Sequence, residues 1–301
     1  MENNFKKLES RVIDSLNKTD LEFIRYELSK INTPTITTGV GGSNVVSTFT
    51  SKVLNTKNNI ISISKQPRDI KYENLNGFKN LMCCSYSGNN FGVDLSFDNN
   101  LKHYLLSKNS FDDKETTYLK YEMEPERSFI SLGATLVPIS IVLNYYLNGD
   151  NKDILKNLKE YKFNFDTSCN CFEIFSGYDT SVTSTYLEST MMESGLGIPI
   201  VHDKYDYCHG RSTLSINYNN IAIYLNKNTE LDKLLLKELK KYYKDIIVLE
   251  SNYKDDILDD YKMLIEAMYL TKYIGEQKNK DLSIVEHSPI TKILYKYKGQ
   301  V

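Results

Sequence analysis

Two short runs of small residues constrain this chain more than any other feature: Gly39-Val40-Gly41-Gly42-Ser43 and, about forty residues on, Ser85-Tyr86-Ser87-Gly88-Asn89-Asn90. Each follows an apolar, strand-like stretch, residues 34–38 and 81–84, and precedes a segment that can begin a helix. Strand, tight turn and helix in that order build a parallel α/β sheet. Such loops bind phosphate: glycines let backbone N–H groups turn inward, the helix start adds partial positive charge, and Ser hydroxyls supply further donors. The third glycine of GxGxxG is absent, Asn44 following Gly39 and Gly41 instead, and no GK[ST] follows, so neither a dinucleotide fingerprint nor a Walker A loop is present. A phosphorylated sugar suits the pair better than a dinucleotide. The second run also puts Ser85, Ser87 and Asn90 at the end of a buried strand, where open parallel sheets bind ligands.

The alternation continues along the chain. Helices are expected over 5–16, 19–31 and 44–54, strands over 59–64 and 80–84, a strand pair near 103–106 and 116–121, and a long helix over 127–147. The polar turn 148–153 ends that helix with Gly149 and is the expected boundary between a first domain, 1–150, and a second, 151–301. The second half repeats the scheme: helix 152–161, strand 171–176, a Gly-Tyr-Asp-Thr-Ser turn, helix 181–194, strands within 213–225 and at 246–249, and helices 231–243 and 255–277. The expected fold is α/β, two doubly wound parallel-sheet domains packed together. With 301 residues, 41% of them hydrophobic and 12% aromatic, the chain has material for two cores.

Charge and composition exclude several roles. A net charge of −2 gives no global field for nucleic acid or an anionic membrane surface. No stretch approaches the roughly 18 uncharged apolar residues of a membrane span, and the N-terminus lacks the apolar core of a signal peptide. The most apolar run, 132–146, is interrupted by Pro138 and reads as a core helix. Five cysteines, an odd number, imply reduced thiols and a cytoplasmic setting. Neither Cys83-Cys84 nor the Cys169/Cys171 pair has zinc-ligand spacing with partners, so no metal is expected.

Chemistry concentrates in residues 188–212. In a helix beginning near residue 180, Glu188 and Glu193 fall on different faces and need separate roles. After the helix stops at Gly195 come His202, Asp203, His209 and Arg211. Each alone reads as a solvated or capping side chain; clustered beside an apolar helix end, in a chain with two candidate phosphate loops, they point to a site. Met191, Met192 and Leu196 suggest an apolar wall that would raise the pKa of Glu193.

On these residues the chain resembles the sugar isomerase (SIS) superfamily: a GxGGS loop after one strand, an SYSGN loop after another, and Glu193 sixteen positions before His209. The resemblance covers nearly the whole chain as two flavodoxin-like SIS domains. Its loops are most similar to those of the bifunctional phosphoglucose/phosphomannose isomerases, and its Glu-to-His spacing is shared with the isomerase domain of glutamine–fructose-6-phosphate aminotransferase. The resemblance implies that Ser43, Ser85, Ser87 and Asn90 bind the substrate phosphate and that Gly41 and Gly42 let the backbone close on the sugar. Arg127, in a Pro125-Glu126-Arg127 turn where the isomerases have Pro-Pro-Arg, would contact substrate. Glu193 would carry a proton between sugar carbons, and His209, which in this superfamily often reaches in from the partner subunit, would open the ring. Lys292 would complete the site; it is favoured over Lys296 and Lys298 because it follows Pro289 at the start of the last helix. The chain departs from the isomerases in having Gly210-Arg211-Ser212 after His209, where they carry Asn-Glu, and Asn90 in place of threonine. Arg211 would then read a second anionic group.

The function so implied is a cofactor-independent isomerase interconverting aldose and ketose phosphates through an enediolate, cytoplasmic and homodimeric, with a phosphorylated sugar as its ligand. The chemistry asks for a ring-opening acid, a carboxylate that moves a proton between C1 and C2, and a cation for the enediolate oxygens. Two alternatives share the fold: an aminating, deaminating or lyase enzyme with a related Glu/His/Lys set, and a regulator that binds a sugar phosphate without turning it over.

Overall fold

The computed structural model describes residues 5–89, 91–97, 99–110, 115–126, 130, 132–213, 220–251, 253–284 and 289. They divide into two compact units. Residues up to Lys156, with the described residues beyond Leu282, form the first, and Asn157–Leu282 the second.

In the first unit the helices are α1 (Leu8–Lys18), α2 (Leu21–Ser29), α3 (Gly42–Lys57), α4 (Pro67–Tyr72), α5 (Phe91–Ser96) and α6 (Leu132–Tyr146). The strands are β1 (Thr35–Thr38), β2 (Ser62–Lys65), β3 (Asn80–Cys84), β4 (Lys102–Ser107) and β5 (Thr116–Lys120). All pair in parallel in the order β2-β1-β3-β4-β5. Every residue of the central strands β1 and β3 is buried, as parallel strands covered on both faces must be. On one face Thr37 Oγ1 donates to the Ser47 carbonyl of α3 at 2.8 Å. On the other, Ile36 and Leu81 pack with Ile70 of α4, and Cys83 with Val93 of α5. Burial pushes both strand thiols up, that of Cys84 to about 12.

Helix α6 is the apolar run of the sequence, buried almost all round, and α1, α2 and α3 pack against it. Each Leu, Ile or Val side chain so buried contributes about 1.5–3 kcal/mol, enough to hold the helix through Pro138, which removes one amide donor from its interior. Its C-terminal carbonyls are met by Lys57, whose Nζ donates to Tyr145 O at 2.6 Å and Tyr146 O at 2.9 Å.

In the second unit β6 (Cys171–Ser176), β7 (Ile198–Asp203), β8 (Ile221–Asn226) and β9 (Ile246–Glu250) are parallel in the order β7-β6-β8-β9. The short α7 (Lys152–Asn157) closes the first unit, and in the second α8 (Ser181–Glu193), α9 (Glu230–Leu239) and α10 (Asp256–Gln277) follow β6, β8 and β9. Phe175, Ala222 and Tyr224 pack with Leu235 and Leu239 of α9 on one face, while α8 packs on β6, β7 and α10. Its first strands take the same places as β2-β1-β3 in the first unit, so one plan is used twice. Strand β7 is absent from the sequence expectation: Pro199 argues against a strand, and is tolerated because β7 is the sheet edge.

Candidate functional site

Because all strands of the first unit are parallel, the loops after β1 and β3 leave the same edge of the sheet, and because β1 pairs directly with β3, Thr38 opposite Cys83, the loops are neighbours. On either side of them the connections run to opposite faces, which makes this the crevice where open α/β sheets take ligands. Local structure requires the small residues. A Cβ on Gly39 would lie 2.3 Å from the Ser43 carbonyl oxygen, and Gly41, the N-cap of α3, has φ 57° and ψ −128°, a region closed to other residues. Gly42 and Ser43 then begin α3, whose N-terminus has no side-chain cap. Thr38, last in β1, is fully buried and its hydroxyl has no partner among the described residues.

The second loop is braced internally and by the loop after β4. Ser85 is buried and its Oγ accepts the Gly88 amide at 3.1 Å. Tyr86 O accepts the Lys108 amide at 3.3 Å and Ser107 Oγ at 3.4 Å, and Ser87 O accepts Asn109 Nδ2 at 3.0 Å. The structure thus brings Gly41, Gly42, Ser43, Ser85 and Ser87 to one sheet edge. Asn90 and Arg127 lie outside the described residues, as does Lys292. The bracing residues Ser107 and Asn109 were not expected from the sequence; the Ser-Lys-Asn run that closes β4 was the available signal.

The second unit makes the first loop's open helix end conspicuous. At the equivalent place, after β6, the Asp260 carboxylate on α10 accepts the Val182 amide at 3.1 Å, the Thr183 amide at 3.0 Å and Thr183 Oγ1 at 2.7 Å. Asp260 is fully buried there. A built-in anion therefore sits on the start of α8, whereas α3 begins with a glycine cap.

Glu193 and His209 are not brought together within one second unit. Helix α8 runs from the C-terminal end of β6 back to the start of β7, so Glu193, its last residue, lies at the N-terminal edge of the sheet. His209 follows β7, beyond its C-terminal end, and six strand residues separate the two edges by roughly 17–20 Å. Both side chains are exposed; Ser189 Oγ donates to Glu193 Oε1 at 3.0 Å. The expected apolar wall is not around Glu193: Met191 and Leu196 are buried in the core and Met192 is 64% exposed. Arg211 donates to the Val201 carbonyl of β7 at 3.2 Å.

His202 has a different place from the rest of its cluster. It is fully buried on β7, with Nε2 2.8 Å from Glu173 Oε2 on β6, and Tyr207 packs edge-on at 5.1 Å between ring centroids. Glu173 also accepts Asn220 Nδ2 at 2.7 Å. Burial alone would raise the Glu173 pKa; hydrogen bonds from His202, Asn220 and Tyr243 outweigh it and hold the carboxyl below its ordinary range. Among the described residues no three His, Cys, Asp or Glu side chains are grouped to hold a metal ion, and no helix is long and apolar enough to cross a membrane.

No family model matches the sequence, and no curated protein matches it in sequence. Solved structures do match in three dimensions. Tagatose-6-phosphate ketose/aldose isomerase from Escherichia coli superimposes with a TM-score of 0.70 at 13% identity, over 95% of this chain and 96% of that one. Glucosamine-6-phosphate deaminase from Thermotoga maritima gives 0.68 at 15% identity, over 93% and 98%. The C-terminal domain of glucosamine-fructose-6-phosphate aminotransferase from Francisella tularensis gives 0.67 at 13%, over 93% and 96%. The likeness is one of fold. It extends over nearly the full length of each chain, and the α/β parallel-sheet architecture expected from the sequence is the one these proteins have.

Proposed function

We propose that the chain is an aldose–ketose isomerase acting on a phosphorylated sugar, with the phosphate held by the loops after β1 and β3. The observation that carries this reading is the uncapped start of α3 beside the Ser85–Ser87 loop, at a sheet edge whose counterpart in the second unit is already filled by the Asp260 carboxylate. Proteins of the same fold, by their names, act on tagatose 6-phosphate and glucosamine 6-phosphate, which supports a sugar phosphate as the substrate class.

In this reading Ser43, Ser85, Ser87 and Asn90 bind the phosphate, Arg127 contacts the sugar and Arg211 a further anionic group. Glu193 moves the proton between C1 and C2, and Lys292 offsets charge on the enediolate oxygens. His209 opens the ring from a second copy of the chain, because within one second unit it and Glu193 sit at opposite sheet edges. The domains of the proposal are 1–150 and 151–301, the working form is a homodimer in the cytoplasm, and the reaction calls for no cofactor. The test is incubation with a panel of aldose and ketose phosphates in deuterated water, followed by NMR. Exchange at C1 or C2 supports the isomerase; ammonia release supports a deaminase instead. Binding without exchange supports a sensor, a reading favoured by the separation of Glu193 and His209 within a single copy.

A further inference from the structure

Glu126 is a buried carboxylate, its side chain 2% exposed, that no step of the proposed reaction uses. Arg11 Nη1 of α1 donates to its Oε1 at 2.8 Å, and the Ala134 amide in the first turn of α6 donates to its Oε2 at 2.8 Å. With each oxygen tied to a different helix, the backbone at residue 126 has little freedom. Its own N–H donates to the Tyr86 hydroxyl at 3.4 Å. Tyr86 stands between Ser85 and Ser87, and its carbonyl is held from the other side by Ser107 and Lys108. The ring is thus fixed at its far end and the backbone at its near end. Gly133 leaves room for the arrangement: a Cβ there would stand 3.3 Å from Glu126 Oε2 and 3.2 Å from Met123 Cε.

We infer that Glu126 is a positioning residue for the loop after β3, acting through the Tyr86 hydroxyl to hold Ser85 and Ser87 in the orientation that receives an anion; this rests on the phosphosugar reading of that loop. A clamp that merely joined α1 to α6 would stabilise the unit without bearing on the loop, and the two roles are separable. Tyr86→Phe removes the hydroxyl and keeps the ring, so it leaves the core packing intact. Glu126→Ala removes both carboxylate bonds, and Glu126→Gln retains an oxygen for one of them. Lys57→Met loosens α6 from its opposite end, where Nζ meets the Tyr145 and Tyr146 carbonyls, and serves as the purely structural comparison.

Hydrogen exchange of amides 86–89 in the free protein is measured first, then calorimetric affinity for inorganic phosphate and for fructose 6-phosphate. Losing one held contact corresponds to roughly tenfold. Tyr86→Phe and Glu126→Ala are expected to speed loop exchange about tenfold and to weaken affinity three- to tenfold, Glu126→Gln falling between them and wild type. Lys57→Met is expected to lower the melting temperature while changing neither readout. Loop exchange at the wild-type rate in Tyr86→Phe overturns the inference, as does an equal change in Lys57→Met. Should Glu126→Ala not fold, Tyr86→Phe decides alone. A wild-type protein that binds neither probe sinks the phosphosugar reading, and the exchange comparison still judges Glu126.

Discussion

At Gly39 a single methyl group would collide with the Ser43 carbonyl at 2.3 Å, and backbone cannot step aside as a side chain can. Gly39→Ala is therefore expected to destabilise the protein by about 1–3 kcal/mol, the usual cost of overpacking, and to abolish calorimetric binding of a phosphosugar; wild-type binding by a folded variant would refute the loop's role. Ser87→Ala tests the second loop more gently. Removing a hydroxyl that donates to a charged oxygen costs roughly 1.5–3 kcal/mol, about ten- to a hundredfold in affinity, so KM should rise while kcat changes little. For Glu193→Gln the expectation reverses, because the amide keeps the shape and loses the base: binding survives, while turnover and solvent exchange at C2 fall by about two to four orders of magnitude. Exchange undiminished in that variant would assign the base elsewhere, with Glu188 next.

At the scale of elements, the start of α8 depends on a charge carried by α10. Asp260→Asn leaves one oxygen where two served, and turns an amide N–H₂ toward the Val182 and Thr183 donors. A loss of about 2 kcal/mol or more in denaturant unfolding is expected, and an unchanged midpoint would show the cap to be idle. This contact was not legible in the sequence, since it joins residues 77 and 78 positions apart. The same holds for the Tyr86–Glu126 contact, across 40 positions. What could be read were features confined to one segment: the short strand-like stretches of β1 and β3, the glycine turns after them, and the all-round apolar α6. Strand β7 was missed because Pro199 speaks against a strand until the sheet order shows that it lies at an edge. The grouping of His202 with His209 failed for a related reason: sequence proximity conceals that one points into the sheet's core and the other lies beyond its end.

At the scale of the whole molecule, acid should unfold the protein partly through Glu173. Its folded pKa is held below the ordinary 4.5, so the unfolded chain takes up the proton first, and the stability this carboxylate contributes is present above pH 4.5 and lost as pH falls through the lower folded value. In Glu173→Gln the fall of unfolding free energy with acidification should be shallower by at most about 1.4 kcal/mol per pH unit; identical slopes below pH 4.5 would refute this. The shared-site reading makes a sharper demand: Glu193→Gln and His209→Ala proteins, each inactive alone, should regain activity when refolded as a mixture, and a mixture that stays inactive rules out a site completed by a second copy. The two units also differ in what their helix starts still lack. Helix α8 carries its anion covalently, as part of the chain, whereas α3 starts without a side-chain cap and, in the phosphosugar reading, takes its anion from solution. Saturation with a phosphosugar should consequently be felt unevenly, slowing hydrogen exchange in the first turn of α3 and around Ser85–Gly88 while the amides of Val182 and Thr183 exchange as slowly without ligand as with it. In that reading one half of the duplicated plan is finished when it folds, and the other only when it is occupied.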